Sequence, residues 1–213
     1  MLLNLKSKEI ISILKKGGVG VIPTDTLYGL VGSAFSKEAV EKIYKIKNRD
    51  TKKALIILIS SFKDLEKFGI NLKEDQAKFL KKIWPGKVSV ILPCKNKEFK
   101  YLHRGTNSLA FRFPAKKSLL EILKKTGPLV APSANPEGLK PAENITEAKK
   151  YFGPVRSREG SQRPSASNGI GTKLDFYLAG GSLKSEPSTL IEINKDGEVG
   201  VLRGILGKYD SKD

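Results

Sequence analysis

Three short polar stretches carry residue types suited to phosphate and amino-acid chemistry. In Pro23-Thr24-Asp25-Thr26-Leu27-Tyr28-Gly29-Leu30, hydroxyls and a carboxylate crowd a turn between two apolar runs. Lys47-Asn48-Arg49 sets two cations on alternate residues, where a helical pattern gives way to a strand pattern. Ser133-Ala134-Asn135 places small polar groups directly after Leu129-Val130-Ala131-Pro132. Each is weak alone, since a Lys-x-Arg pair is usually solvated and Ser-x-Asn is usually a turn. In open α/β sheets, though, ligands usually sit in the crevice beyond strand ends.

Other catalytic kits are missing. The chain has one histidine, His103, and one cysteine, Cys94, so it cannot supply a multi-His or Cys/His metal cluster, and no protein metal site is expected. There is no G-x-S-x-G elbow and no phosphate loop of the G-x-x-x-x-G-K-[ST] type. Gly86-Lys87 is followed by Val88, which lacks the hydroxyl such a loop needs. His103 lies in a basic run and reads as a solvated ring.

The elements that must position these stretches follow from periodicity. Helical spacing runs over Ser7–Lys16, from Ser36 to Lys47, over 62–68, 73–83, 116–125 and 143–152. Short apolar or β-branched runs at 19–23, 27–34, 54–59, 88–93, 109–113, 129–131, 175–179, 189–193 and 198–202 read as strands. A basic loop around 101–106 is expected between two of them. Trp84, at a helix end before Pro85, reads as packing. Helices and strands interleave at short spacing, so the class is α/β with a twisted, mixed sheet.

The 213 residues suit a single domain over 1–213. Apolar residues make up 39% and charged residues 29%, the balance of a soluble globular protein. No apolar run is long enough to span a bilayer, so no membrane partner is expected. The amino terminus meets charge early and lacks a secretory cleavage pattern, and one cysteine suits a reducing compartment, so the expected location is cytoplasmic. The net charge of +17 suits an anionic partner, although a lysine-rich proteome gives the same excess. Residues 154–172, rich in Ser, Gly and Arg, bury too little apolar surface to offset their ordering entropy and are expected to form a mobile loop insertion.

The polar stretches and their order resemble the threonylcarbamoyl-AMP synthase family, also called the YrdC family. The resemblance runs from Pro23–Leu30 through Lys47-x-Arg49, Trp84-Pro85-Gly86, Arg112-x-Pro114, Pro132–Asn135 and Pro187-Ser188-Thr189 to Arg203-Gly204. It implies an α/β domain with a twisted open mixed sheet, flanking helices and a basic concave cleft, in the short single-domain form. It also implies the conversion of L-threonine, bicarbonate and ATP to threonylcarbamoyl-AMP and pyrophosphate, for N6-threonylcarbamoyladenosine in tRNA. Lys47 and Arg49 are then catalytic, and with Ser133, Asn135 and Arg203 they bind nucleotide and phosphate. Thr24, Thr26, Tyr28, Arg112 and Ser188 are the threonine-binding set, with Arg112 facing a carboxylate of threonine or its carbamate. Mg²⁺ is implied on the ATP phosphates. The resemblance leaves direct contact with tRNA, and with threonylcarbamoyl-transferase subunits, open.

Read as residues alone, Tyr28 also fits a half-buried core aromatic. The chain departs from the family pattern at Asp50 and Ala54, where proline is frequent, which implies a less stiff loop after Arg49. Glu137 replaces a frequent serine. Two other readings stand beside the first. One is the related carbamoyl-transfer domain of hydrogenase-maturation proteins, although the chain has no Cys-x-x-Cys. The other is a non-catalytic RNA-binding module.

Overall fold

A computed structural model describes residues 7–153, 173–194 and 198–206. The expected loop insertion at 154–172 lies outside the described residues. Helix α1 (Ser7–Lys15) leads into strand β1 (Gly20–Pro23), and the 24–27 turn reverses the chain into β2 (Tyr28–Ser33). β1 and β2 pair antiparallel with Pro23 opposite Tyr28, so the hydroxyl-rich turn projects from the end of the hairpin.

Ser36 caps helix α2 (Lys37–Lys47), its hydroxyl accepting the Ala39 N–H at 3.1 Å. The helix stops at Asn48, which takes the left-handed conformation (φ 50°) that asparagine tolerates better than most side chains. Lys47 therefore stays on the last helical turn while Arg49 leaves on the outgoing chain.

Next come β3 (Ile56–Leu58), α3 (Lys63–Glu66), α4 (Glu74–Ile83), β4 (Val88–Pro93), α5 (Lys100–His103) and β5 (Ser108–Arg112). They are followed by α6 (Lys117–Thr126), β6 (Leu129–Val130), α7 (Ile145–Phe152), β7 (Phe176–Tyr177), β8 (Thr189–Ile193) and β9 (Val199–Arg203). The strands form one mixed sheet in the order β7-β1-β2-β6-β3-β5-β4-β8-β9. β1–β7, β3–β5 and β4–β8 are parallel pairs, and the others are antiparallel.

Period-two alternation divides the core between the two faces. Val21, Leu30 and Ile57 turn towards Val40 and Ile43 of α2 and Leu80 and Ile83 of α4. Their neighbours Ile22, Val31 and Leu58 turn the other way, onto Ile10 and Leu14 of α1 and Leu119 and Leu123 of α6. The α/β class and the mixed, helix-flanked sheet read from the sequence are what forms. Trp84 is buried, its indole N–H donating to Val88 O at 2.7 Å.

The 101–106 stretch differs from the expected loop. Phe99 and Leu102 bury, and the chain coils into a 3-10 turn (Lys97–Phe99) followed by α5. His103 is carried inward to 4% exposure, with Nδ1 accepting the Gly105 N–H at 3.1 Å. It is a packed ring, not a solvated one.

Candidate active site

The chain after β6 lies against the start of β2. Leu30 N–H donates to Pro132 O (2.8 Å) and Ala134 N–H to Tyr28 O (2.7 Å), and Gly29 bridges Ser133. This docking brings the Ser133–Asn135 loop beside the 24–28 turn. Within the turn, Thr24 Oγ1 donates to Leu27 O (2.6 Å), accepts the Thr26 N–H (3.1 Å) and lies 3.2 Å from Thr26 Oγ1. Both threonines are buried. Tyr28 is fully buried rather than half-buried; its hydroxyl donates to Gly181 O (2.7 Å) and accepts the Gly180 N–H (2.9 Å). Burial raises its pKa, so it stays a phenol at neutral pH.

Arg112, the last residue of β5, reaches past β3 and β6 to the same turn. Nη2 pairs with Asp25 Oδ1 and Nη1 donates to Thr26 Oγ1, each at 2.8 Å. The guanidinium is thus already paired with a carboxylate of the chain itself, where the sequence suggested a substrate carboxylate. A guanidinium with a side chain only 5% exposed needs such a counter-ion. Burial nevertheless lowers its pKa, with Asp25 opposing and the nearby Arg203 charge adding. Asp25 Oδ2 and Arg112 Nε are buried without hydrogen-bond partners. Lys116 secures the turn from beneath, donating to Pro23 O (3.3 Å) and Thr24 O (3.1 Å).

Lys47 is 2% exposed. Its ammonium donates to Ser133 O and Asn135 O, each at 2.6 Å, and to Asn135 Oδ1 at 3.3 Å. The Ser133 hydroxyl donates to the same Oδ1 at 2.6 Å, and Asn135 Nδ2 donates to Pro136 O and Leu139 O. Lys47 and Asn135 therefore shape the loop from inside, while Arg49 is partly exposed, with Nε on Lys53 O (3.1 Å) and Nη2 on Ala54 O (3.2 Å). On the far side, Arg203 donates to Ser188 O (3.2 and 3.0 Å), and the Ser188 hydroxyl lies 2.9 Å from that of Ser89.

Burial pushes the Lys47 ammonium down to about 8, with the Arg49 charge adding and Glu137 opposing. A free lysine titrates near ~10.4, so between the two values the unfolded chain binds more protons than the folded one. Stability from this group therefore rises with pH from about 8 towards about 10.4, and is constant below 8. The stability difference between wild type and Lys47→Met, measured in denaturant at pH 7, 8.5 and 10, should shift in favour of wild type across that window. A flat difference would mean that the ammonium titrates normally.

The cleft encloses about 120 Å³ and is lined by Thr24, Thr26, Leu27, Tyr28, Gly29, Ile56, Arg112, Ala131, Ser133, Pro141, Pro187, Ser188 and Arg203. Of the ten residues singled out in the sequence, seven line the cleft, Lys47 and Asn135 stand behind its Ser133 wall, and Arg49 lies outside the lining, near enough for its charge to act on Lys47 and Arg203. Burial and the Arg49 charge lower the pKa of Arg203, and Arg203 in turn acts on Arg112. Arg203 is therefore the guanidinium that links the other two, repelled by Arg49 on one side and repelling Arg112 on the other. A larger hollow of about 480 Å³, bounded by Gly69–Lys73, Gln76, Leu92 and Pro93, is formed from other elements.

Sequence reading gave no site role to Asp25, Lys116, Glu137 or the Gly180-Gly181 segment. Asp25 had a usable signal, because a buried arginine demands a carboxylate and Asp25 is the acid within the turn. The others reach the site through bonds that each have a main-chain group on one side, or, for Glu137, also through an ion pair with Lys53, and residue type does not say which main-chain group lies within reach.

A family model for Sua5, YciO and YrdC proteins, described as telomere recombination, matches residues 12–157. A curated threonylcarbamoyl-AMP synthase of Cellvibrio japonicus is 30% identical over 154 residues, covering 71% of this chain and 80% of the relative. One from Pyrococcus abyssi is 31% identical over 145 residues, covering 67% of this chain but only 42% of the relative. The crystal structure of P. abyssi Sua5 complexed with L-threonine superposes with a TM-score of 0.77 at 25% identity, over 92% of this chain and 53% of that one. The chain thus spans about half or less of the longer archaeal protein and most of the shorter bacterial one. With the matching family model over 12–157 and a shared fold, the chain belongs to the Sua5/YciO/YrdC family.

Proposed function

We propose that this chain, acting as one domain over 1–213, is an L-threonylcarbamoyladenylate synthase, a nucleotidyltransferase. The observation that carries the reading is the cleft itself: a small hydroxyl-lined pocket, about 120 Å³, with Arg112 and Arg203 in its lining and the Arg49 charge acting on Arg203 from outside it. That volume suits an amino acid and leaves the bulk of a nucleotide to the open rim near Arg49 and Arg203. The relatives named as threonylcarbamoyl-AMP synthases and the threonine complex of the archaeal protein support the same assignment.

In this reaction the threonine amine adds to carbon dioxide derived from bicarbonate, forming a carbamate and releasing a proton. A carbamate oxygen attacks the ATP α-phosphorus, the bond from that phosphorus to the bridging oxygen breaks, and pyrophosphate leaves with the electron pair. Such chemistry needs alignment and neutralisation of phosphate charge more than a covalent nucleophile. Arg49 and Arg203 neutralise phosphate at the rim. Lys47 adds its charge while it keeps the Ser133 loop in shape, and Ser133 and Asn135 complete the nucleotide side. Thr24, Thr26, Tyr28 and Ser188 hold threonine, and Arg112, paired with Asp25, fixes the turn that carries Thr24 and Thr26.

Mg²⁺ shields the phosphates when bound. Among the described residues no group of three or more metal-ligating side chains gathers, and the carboxylates of Asp25 and Glu137 are paired with Arg112 and Lys53. Phosphate oxygens and water would supply most of the ion's ligands. The product would serve tRNA modification in the cytoplasm, with tRNA and a threonylcarbamoyl-transferase downstream. Among the described residues no helix is long and apolar enough to cross a membrane.

The test is pyrophosphate release from ATP, bicarbonate, L-threonine and Mg²⁺, with each component omitted in turn. Release should collapse without threonine and without bicarbonate. Equal release without threonine would sink the assignment. Release requiring carbamoyl phosphate would favour carbamoyl transfer, and no turnover together with tight RNA binding would favour the binding-module reading.

A further inference from the structure

We propose that Glu137 is a positioning residue for this reaction: it straps the turn that carries Arg49 onto the Ser133–Asn135 loop. The proposal rests on the adenylate-forming reading above. Glu137 holds both ends of the segment from Lys47 to Lys53. Its backbone N–H donates to Lys47 O at 2.8 Å. Its carboxylate accepts the Asp50 N–H on Oε2 at 2.7 Å and the Lys53 ammonium on Oε1 at 2.6 Å. Arg49 sits inside that clamp, and its own guanidinium closes the turn through Lys53 O and Ala54 O.

Without the carboxylate, the turn would keep its internal bonds and lose its side-chain register to the Ser133 loop. Its start would then be anchored by the Lys47 ammonium and by main-chain bonds such as Arg49 N–H to Tyr44 O at 3.0 Å, none of which reaches Asp50 or the Lys53 side chain. The strap also accounts for the lack of proline after Arg49, which suggested a slack loop. Asp50 keeps an N–H that proline lacks, and Glu137 takes it as a tether. The carboxylate remains ionised at neutral pH: the Lys53 hydrogen bond first and then the Asp50 N–H lower its pKa, burial opposes them, and the Lys53 and Arg49 charges add to the lowering.

Glu137 lies outside the cleft lining, so it acts through Arg49 and not on the substrate itself. Its loss should then appear on the nucleotide and not on the amino acid. In Glu137→Ala, the KM for ATP should rise about tenfold or more while the KM for threonine stays within about twofold. Glu137→Gln keeps an acceptor for the Asp50 N–H and loses the ion pair, so it should recover most of the ATP affinity.

A second measurement reads the strap without turnover: hydrogen exchange at the Asp50 amide, faster in Glu137→Ala and close to wild type in Glu137→Gln. Unchanged Asp50 exchange in the alanine variant overturns the proposal whatever the kinetics. Faster exchange with an unchanged KM for ATP also overturns it, because the strap would then be structural only. An equal rise in both KM values does the same. If wild type itself shows no threonine-dependent pyrophosphate release, the parent reading fails. Binding of a non-hydrolysable ATP analogue then replaces KM: a tenfold weakening in Glu137→Ala with faster Asp50 exchange supports the strap, and unweakened binding overturns it.

Discussion

Asp25→Ala is expected to destabilise the protein by about 3–5 kcal/mol, the usual cost of leaving a buried charge without its partner. Both side chains of the Asp25–Arg112 pair are nearly enclosed, at 9% and 5% exposure, and the contact is 2.8 Å. Removing the carboxylate leaves the guanidinium with Thr26 Oγ1 and an Arg203 charge that already repels it. Exposed pairs such as Lys78–Glu74 are worth far less, because water screens them and two long side chains must be ordered. Asp25→Asn keeps an acceptor without the charge and should fall between wild type and alanine. Removing both charges in Asp25→Ala/Arg112→Met should restore much of the stability, since the cost comes from the orphaned ion and not from the missing contact. L-Threonine should stabilise Asp25→Ala more than wild type if the released guanidinium takes a substrate carboxylate. Denaturant midpoints with and without threonine test both points. A loss below about 0.5 kcal/mol in Asp25→Ala would show that Arg112 swings out to water.

Much of this molecule is legible because it depends on periodicity and on residue type. Alternation along Val21-Ile22, Leu30-Val31 and Ile57-Leu58 assigns each strand two buried faces, and two layers of helices must cover them. The positions of Thr24, Ser133 and Arg203 follow from motif order. Burial of charge does not. Nothing in the type of Lys47 distinguishes a solvated lysine from one at 2% exposure; that depends on Asn48 turning the chain and on three acceptors arriving from residues 133–135. His103 was misread for a related reason: its neighbours Phe99 and Leu102 pull a polar stretch into the core. The strands read at 129–131 and 175–179 do form, as β6 and β7, but each keeps only two residues, because its length is set by pairing with β2 and β3 or with β1.

The two cations of the Lys-x-Arg pair should separate sharply on mutation. Arg49 is partly exposed and bonds two carbonyls of its own turn, so Arg49→Ala should cost no more than about 1 kcal/mol of stability. If it neutralises the phosphate of ATP, the same change should lower kcat/KM by roughly 10²-fold or more. Arg49→Lys keeps the charge and loses the planar fork, so it should be impaired less than alanine but still impaired. Lys47 differs because its ammonium is enclosed and serves three oxygens of the Ser133–Asn135 loop. Lys47→Ala takes from Asn135 O its donor, a loss worth about 1–3 kcal/mol, and removes the packing of the enclosed lysine stem, while Ser133 O keeps the Asn135 N–H and Asn135 Oδ1 keeps the Ser133 hydroxyl. We expect a net loss of about 2–4 kcal/mol together with a turnover loss at least as large as that of Arg49→Ala. Stability and activity should therefore fall together at position 47 and come apart at position 49. Melting temperature and threonine-dependent pyrophosphate release on the same preparations make the comparison. Near-native turnover in Arg49→Ala would return that residue to the solvated surface. Near-native stability in Lys47→Ala would mean that the Ser133 loop holds its shape without the ammonium, and that Lys47 faces the substrate instead.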